Sequence, residues 1–340
     1  MAVHGADLPA VVTTLPEPTS RASRLARRQG WATGVAVLLV VLVLWRRSQV
    51  DDFGAFEIRT ITAGAMSLAF LAMAQAVVVI SGGIDLSVGS LMSLVNVIAA
   101  REMIHMSFRE ALLFSLLLVL GGAAAGALTG TIIVVTRVAD IIVTLAMLFV
   151  WAGVALAILE VPGGATPIEY QNLVTLDTVG TKWLPKALLI LLGAYLILWV
   201  TIRRRRPGLA LYAIGSNRNR AYLSGINVAA TRIGAYALGG AFAALGGLAL
   251  TAASGLGDPH SGDIYTLNSV AAVVLGGVSL LGGVGGLIGP IVAAFVLTLV
   301  KTILIIQGVD QNYAQVIQGT LIVLVVMIGG LAIRQKGKTG

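Results

Sequence analysis

The sequence predicts an all-α polytopic membrane protein of about ten transmembrane helices, on three observations. Hydrophobic residues make up 57% of the 340-residue chain and charged residues only 11%, less than half of the roughly 25% that a water-facing surface requires. Apolar runs recur along the chain at lengths near the ~20 residues that cross a bilayer as a helix. The 41 glycines suit membrane helices, where they let backbones approach closely. Most of the surface must therefore face lipid, and a soluble domain is excluded. The absence of cysteine excludes disulfides, thiolate metal sites and cysteine nucleophiles. The net charge of +8 would fit a nucleic-acid partner, but its distribution argues otherwise.

Residues 1–30 are polar, carry Pro9, Pro16, Pro18 and then Arg21, Arg24, Arg27 and Arg28, and read as a flexible cytoplasmic tail. The apolar run Trp31–Trp45 reads as a retained first span. The rival is a signal peptide, but Arg46-Arg47-Ser48-Gln49 stand where a small-residue cleavage site belongs. Further apolar segments lie at about 60–80, 86–100, 111–136, 139–159, 184–202, 233–253, 269–283, 286–306 and 316–333, giving ten spans within a transmembrane domain over 31–335 and a tail at 336–340. The segments flanking Ser81–Gly89 and Gly282–Gly286 are short or glycine-interrupted. Non-helical backbone at membrane depth must be buried in protein or line a wet cavity.

With both termini inside, fifteen basic residues fall in cytoplasmic segments and seven outside, leaving Lys301 within a span. Acids run the other way, four inside against eleven outside. The bias of arginine and lysine toward the inside is the determinant of orientation. The positive charge is thus a topology signal, and no nucleic acid is expected as a partner. Residues 203–232 form a long cytoplasmic loop with seven arginines and no acid. The outer loops near 160–183 and 254–268 are long enough to cap the external face.

The densest motif is Ser81-Gly82-Gly83-Ile84-Asp85-Leu86-Ser87-Val88-Gly89-Ser90. Its glycines permit a sharp turn, and Asp85 or Ser87 can cap the amides that open the next helix. The alternative is a polar break that lines a pathway, since an intramembrane acid is a functional candidate by default. Gly82, Gly83, Asp85 and Ser87 are therefore pathway or gate candidates. Gln75, Asn96 and Asn268 join them as polar residues in apolar runs, either pathway-facing or bonding between helices. Gly122, Gly126 and Gly130 repeat every four residues on one helix face, and Gly239 and Gly247 lie on another; both read as packing seams. Lys301 can snorkel to an interface or face a pathway. Gly337-Lys338-Thr339 resembles the end of a phosphate-binding loop, but Ala332 stands where that loop needs its first glycine. No catalytic residue set, metal cluster or nucleotide site is found, and no cofactor is expected on this chain.

At SGGIDLSVGS the chain resembles the permease subunits of bacterial ribose-type sugar importers of the ATP-binding-cassette class. The resemblance continues through GLALYAIGSNRNRAYLSGINVAATRI and VAAVVLGGVSLLGGVGGLIGPIVAAFVLTLV, covering roughly residues 60–335. It implies a ten-span subunit of the bacterial inner membrane, paired with a second permease subunit, itself or a paralogue. Two cytoplasmic ATPase subunits would bind ATP and magnesium. A periplasmic or lipoprotein binding protein would deliver a monosaccharide. It also implies a cytoplasmic coupling helix within Gly215–Val228, with Gly215, Asn217, Arg218, Arg220, Leu223, Gly225 and Ile226 docking on the ATPase. Three departures stand out. Arg218-Asn219-Arg220 replace Glu-Ala-Ala-like residues, Thr266-Leu267-Asn268 replace Glu-Leu-Asp, and Ala74-Gln75-Ala76 replace Gly-Met-Thr.

The reading is a permease that works by alternating access. The rival from another class is an ion- or proton-coupled secondary transporter, which would place ionisable residues at mid-membrane. Only Asp85, Asp140 and Lys301 come near, each with an end-of-helix explanation.

Overall fold

The computed structural model describes residues 21–50 and 53–320, with Val323 and Met327 beyond them, and side chains from Thr33 onward. The first twenty residues of the expected tail, the end of the expected tenth span and the 336–340 tail lie outside the described residues. Those described form helices and no strand. In chain order these are α1 (Arg21–Ser48), α2 (Ala55–Ile80), α3 (Val88–Glu102), α4 (Phe108–Thr136), α5 (Asp140–Ile158), α6 (Ile168–Thr175) and α7 (Lys186–Ala194). A π-helical segment, Tyr195–Val200, continues α7 into α8 (Thr201–Arg203). Then follow α9 (Arg206–Ser216), α10 (Arg218–Leu223), α11 (Val228–Ser254), α12 (Gly262–Leu275) and α13 (Ile288–Ile306). A last helical stretch covers 311–320.

Local chemistry sets the ends of these helices. Ser107 and Glu110 form a capping box at the start of α4, with the Ser107 amide donating to Glu110 Oε2 at 2.7 Å. Asn227 accepts from the Ala230 amide at 2.9 Å and starts α11. Among the described residues six helical spans are long and apolar enough to cross a membrane: α2, α4, α5, α7 with α8, α11 and α13. Helices α3 and α12, at 15 and 14 residues, fall short of that length. The segment expected at 269–283 is displaced. Its helix begins seven residues earlier, at Gly262, and stops at Leu275, where Gly276 and Gly277 (φ +78°) break it. Asp263, Thr266 and Asn268 belong to the helix, and their polarity hides it from a hydropathy window.

The core is built on two helices. Along its most apolar stretch α2 is 94% buried and α11 72%, whereas α4, α5 and α7–α8 are only 17–22% buried. Exposed leucines and isoleucines on those outer helices, such as Leu113 and Ile197, suit contact with lipid. On α11, glycines bring three neighbours close. A Cβ on Gly122 of α4 would lie 2.7 Å from Gly240 O, and one on Gly126 would collide with Tyr236 O. Gly130 lies against Tyr236 and Ile233. Gly239 faces Ala74 and Val78 of α2, and a Cβ on Gly247 would sit 2.5 Å from Met92 O of α3.

The two ends of the bundle differ. One carries the arginine-rich segment 203–232. At the other, Arg46 is buried and reaches both oxygens of Glu57, at 3.2 and 3.1 Å. There Gly163 and Gly257 pair antiparallel through amide–carbonyl bonds of 2.9 and 2.8 Å, joining the two long loops. Lys301 lies half-buried near that end of α13.

Gly126→Leu should cost about 3 kcal/mol or more, because an added side chain has no space in this crossing. Gly121→Leu, on the same helix five residues earlier, where a Cβ meets nothing within 4 Å, should be tolerated. Thermal unfolding and size-exclusion profiles of the two variants in detergent check this contrast.

Candidate functional site

The segment Ser81–Ser87 joins α2 to α3 without regular helix, and most of it is buried. Gly82 has φ +81°, in the left-handed region that a side chain strains. Gly83 serves close approach, since a Cβ there would lie 2.6 Å from Asp140 Oδ2 and 2.8 Å from the Tyr236 hydroxyl. Asp85 Oδ1 accepts from the Ser87 amide at 2.8 Å and from Ser87 Oγ at 2.6 Å. This closes an Asx turn at the mouth of α3.

Two distant segments meet this break, backbone to backbone. The Gly283 amide donates to Ile80 O at 2.9 Å. Gly215, at the end of α9, lies between them. A Cβ on it would collide with Ile80 O and sit 2.5 Å from Gly283 N. A Cβ on Gly282 would lie 2.9 Å from Gly82 Cα and 2.8 Å from Gly215 O. Two glycine turns and the glycine at the end of α9, one from each family-like motif, therefore form a single layer.

A charge cluster closes the same region. Asp140 stands in the first turn of α5, where the helix dipole favours a carboxylate. It pairs with Arg232 of α11 and accepts from the Tyr236 hydroxyl at 2.9 Å. Arg218 lies 3.9 Å from the same carboxylate and donates to Gly82 O at 2.9 Å. Arg232 is nine-tenths buried, so Asp140 supplies the charge that its burial demands; breaking such a pair costs about 3–5 kcal/mol. Sequence reasoning treated Asp140 as a helix end and Arg232 as a topology marker, and missed their union. The available signal was that Asp85 and Asp140 are acids set among basic segments.

The arginine-rich loop is an elbow of two helices. Tyr212 of α9 donates to Gly285 O at 2.8 Å, and the Arg203 guanidinium lies over its ring at 6.0 Å. Asn217 caps α10 by accepting from the Arg220 amide at 2.9 Å. Gly225 (φ +79°) ends the turn after α10 with its amide on Tyr222 O. Arg220 faces solvent, as do Tyr222 and Leu223 at 71% and 82% exposure. A solvent-open groove between α9 and α10 is lined by Ser216, Asn217, Arg220, Ser224 and Ile226. Gly215, by contrast, belongs to the glycine layer, and the Arg218 side chain, though 44% exposed, bends back to reach Gly82 O.

The three scattered amides have different surroundings. Asn96 is fully buried and donates to Thr251 Oγ1 at 2.8 Å and Leu256 O at 3.1 Å. It also accepts from the Asp258 amide at 2.7 Å, pinning α3 to the end of α11. Asn268 is half-buried on α12 beside the exposed Leu267. Gln75 is fully buried within α2, and neither its Oε1 nor its Nε2 has a hydrogen-bond partner among the described residues. Among those residues no group of histidines, cysteines or carboxylates is arranged to hold a metal ion.

An all-helical, multi-pass bundle with non-helical backbone interrupting its core is the architecture of a membrane transport protein. The chain belongs to the family described as branched-chain amino acid transport system / permease component, which matches residues 58–326. It is 34% identical over 269 residues to the ribose import permease protein RbsC of Escherichia coli (strain K12), covering 76% of this chain and 81% of the relative. It is 28% identical over 315 residues to the autoinducer 2 import system permease protein LsrD of Escherichia coli O157:H7, covering 88% and 92%. One relative is named for ribose import and the other for autoinducer 2 import, both as permease proteins, so the resemblance to ribose-type import permeases read at SGGIDLSVGS holds. The family description names amino acids and the relatives other solutes, so membership fixes the kind of subunit and not its cargo. No solved structure matches the chain.

Gln75→Leu removes two buried polar groups that lack partners while keeping volume. The unfolding midpoint of the purified variant should equal or exceed that of the parent, its stability being raised by up to about 1–3 kcal/mol per relieved group. A clear fall in the midpoint would show that the amide holds a buried water or another partner.

Proposed function

We infer that this chain is the inner-membrane permease subunit of an ATP-driven importer for a monosaccharide, a ribose-like pentose or a hexose. The observation that carries this is the joint between the Ser81–Ser87 break and the arginine-rich elbow, through Gly82, Gly215 and Arg218. It puts an irregular segment of the bundle core in direct contact with a surface suited to a partner. On this reading the α9–α10 groove, with Arg220 and the exposed Leu223, receives the ATPase subunit. Asn217, Gly225 and Ile226 shape that surface. Two ATPase subunits hold ATP and magnesium, and two permease subunits, identical or paralogous, enclose the pathway. ATP-driven closure draws the elbows together and opens the pathway toward the binding protein, and hydrolysis resets it. Gln75 and Asn268 face the solute in one of the two states, and Gly82, Gly83, Asp85 and Ser87 form the moving gate. The ionisable side chains support an ATP-driven device over an ion-coupled one, because Asp85 is taken up by Ser87 and Asp140 by Arg232.

The same reading places both termini and the elbow in the cytoplasm, with ten crossing segments that count α3, α12 and the stretch from 311 onward. A chain without cysteine is ready for single-cysteine labelling. In intact cells an impermeant maleimide should modify Asp177→Cys and Ser261→Cys, and should leave Arg220→Cys and Ser279→Cys unlabelled until the membrane is opened. The reverse pattern overturns the orientation.

Reconstituted with its ATPase and binding protein, the chain should take up a labelled monosaccharide only when ATP is inside the proteoliposome compartment that exposes the elbow. Uptake driven by a proton gradient without an ATPase would sink the importer reading.

A further inference from the structure

We propose that Arg218 is a positioning residue that ties the coupling elbow to the Ser81–Ser87 break, so that movement of α10 pulls the break and α5 with it. This rests on the reading of the α9–α10 elbow as the ATPase-contacting surface. It differs from that reading in withdrawing Arg218 from the contact face.

Arg218 opens α10 directly after the Asn217 cap. Its guanidinium donates to Gly82 O at 2.9 Å and stands 3.9 Å from Asp140 Oδ2. One side chain thus bridges α10, the break and α5. The planar, permanently charged guanidinium presents several donors at once, which lets it reach a carbonyl and a carboxylate together; a lysine is a single point charge. Around it the glycine contacts of Gly82, Gly215 and Gly282 are close approaches without bonds. Such contacts resist compression only. The charge-assisted bond from Arg218 is the direct link from α10 that also resists separation, beside the longer route from α9 through Tyr212 to Gly285 O and from the Gly283 amide to Ile80 O. Helix α10 is capped by Asn217 and closed by the turn at Gly225, so it moves as a unit, and its first residue holds the link. The exposed Arg220, Tyr222 and Leu223 lie on the same helix and remain free for a partner.

The role is separable from folding. Asp140 keeps Arg232 and Tyr236 when Arg218 is removed, so no buried charge is left alone. It also accounts for one departure from the family pattern, the arginine where a Glu-Ala-Ala-like run is usual.

The test uses the full importer in proteoliposomes, with Arg218→Ala, Arg218→Gln and Arg220→Ala in the permease. Co-purified ATPase, binding-protein-stimulated ATP hydrolysis and solute uptake are measured together. Arg218→Ala should co-purify with the ATPase as the parent does, yet lose stimulation and uptake by about tenfold or more, the range of a lost charge-assisted bond. Arg218→Gln, which can still donate to Gly82 O, should recover part of both. Arg220→Ala should instead lower co-purification. Loss of co-purification in both Arg218 variants, with monodisperse permease, overturns the proposal and makes Arg218 a contact residue. Uptake at parental level in Arg218→Ala also overturns it. If the parent itself binds no ATPase, the importer reading fails, and this link falls with it for a distinguishable reason.

Discussion

Backbone that leaves the helix inside an apolar bundle has to find its hydrogen-bond partners within the protein, and most of this structure answers that constraint at Ser81–Ser87. Asp85 and Ser87 satisfy the mouth of α3, the Gly283 amide takes Ile80 O, and Arg218 takes Gly82 O. Thr144 Oγ1 of α5 lies 3.4 Å from Ile84 O. Each partner comes from a different part of the chain. The break is therefore where α2, α3, α5, the elbow and the α12–α13 turn are held in register.

The materials used for this are cheap in volume and costly to alter. Glycines let the turns touch, so the layer has little free space and few side chains that could rearrange. Beside it, Asp140 and Arg232 form a buried pair whose worth lies in fixing geometry rather than in net stability, since desolvation offsets much of the attraction. Tyr236 then joins the two functions of α11. Its backbone packs against Gly126 of α4, and its hydroxyl bonds Asp140. Packing of the lipid-facing layer and order at the break thus share one residue.

Much of this was legible in the sequence. Composition gave the class, and the glycine spacing at Gly122, Gly126 and Gly130 marked a helix face that lies against α11. The motif at Gly82–Ser87 and the one around Gly215 could be picked out singly, but nothing in their spacing said that they touch. That meeting depends on the path of the chain. Asp140 with Arg232, 92 residues apart, was hidden for the same reason. Helix α12 was misplaced because Thr266 and Asn268 are polar, and a hydropathy window responds to polarity while a helix responds to backbone geometry. Gln75 could be noticed from sequence, whereas its want of a partner needed coordinates.

The shortness of α3 and α12 has a consequence for permeation. At about 1.5 Å per residue they extend roughly 22 and 21 Å, against about 30 Å for the hydrocarbon layer. They pack together where the Gly262 amide meets Ser93 Oγ at 2.7 Å. For a solute whose route followed this pair, the insulating thickness would be about seven-tenths of the bilayer's. A displacement of a single helical turn, about 5.4 Å, then spans a quarter of the remaining barrier.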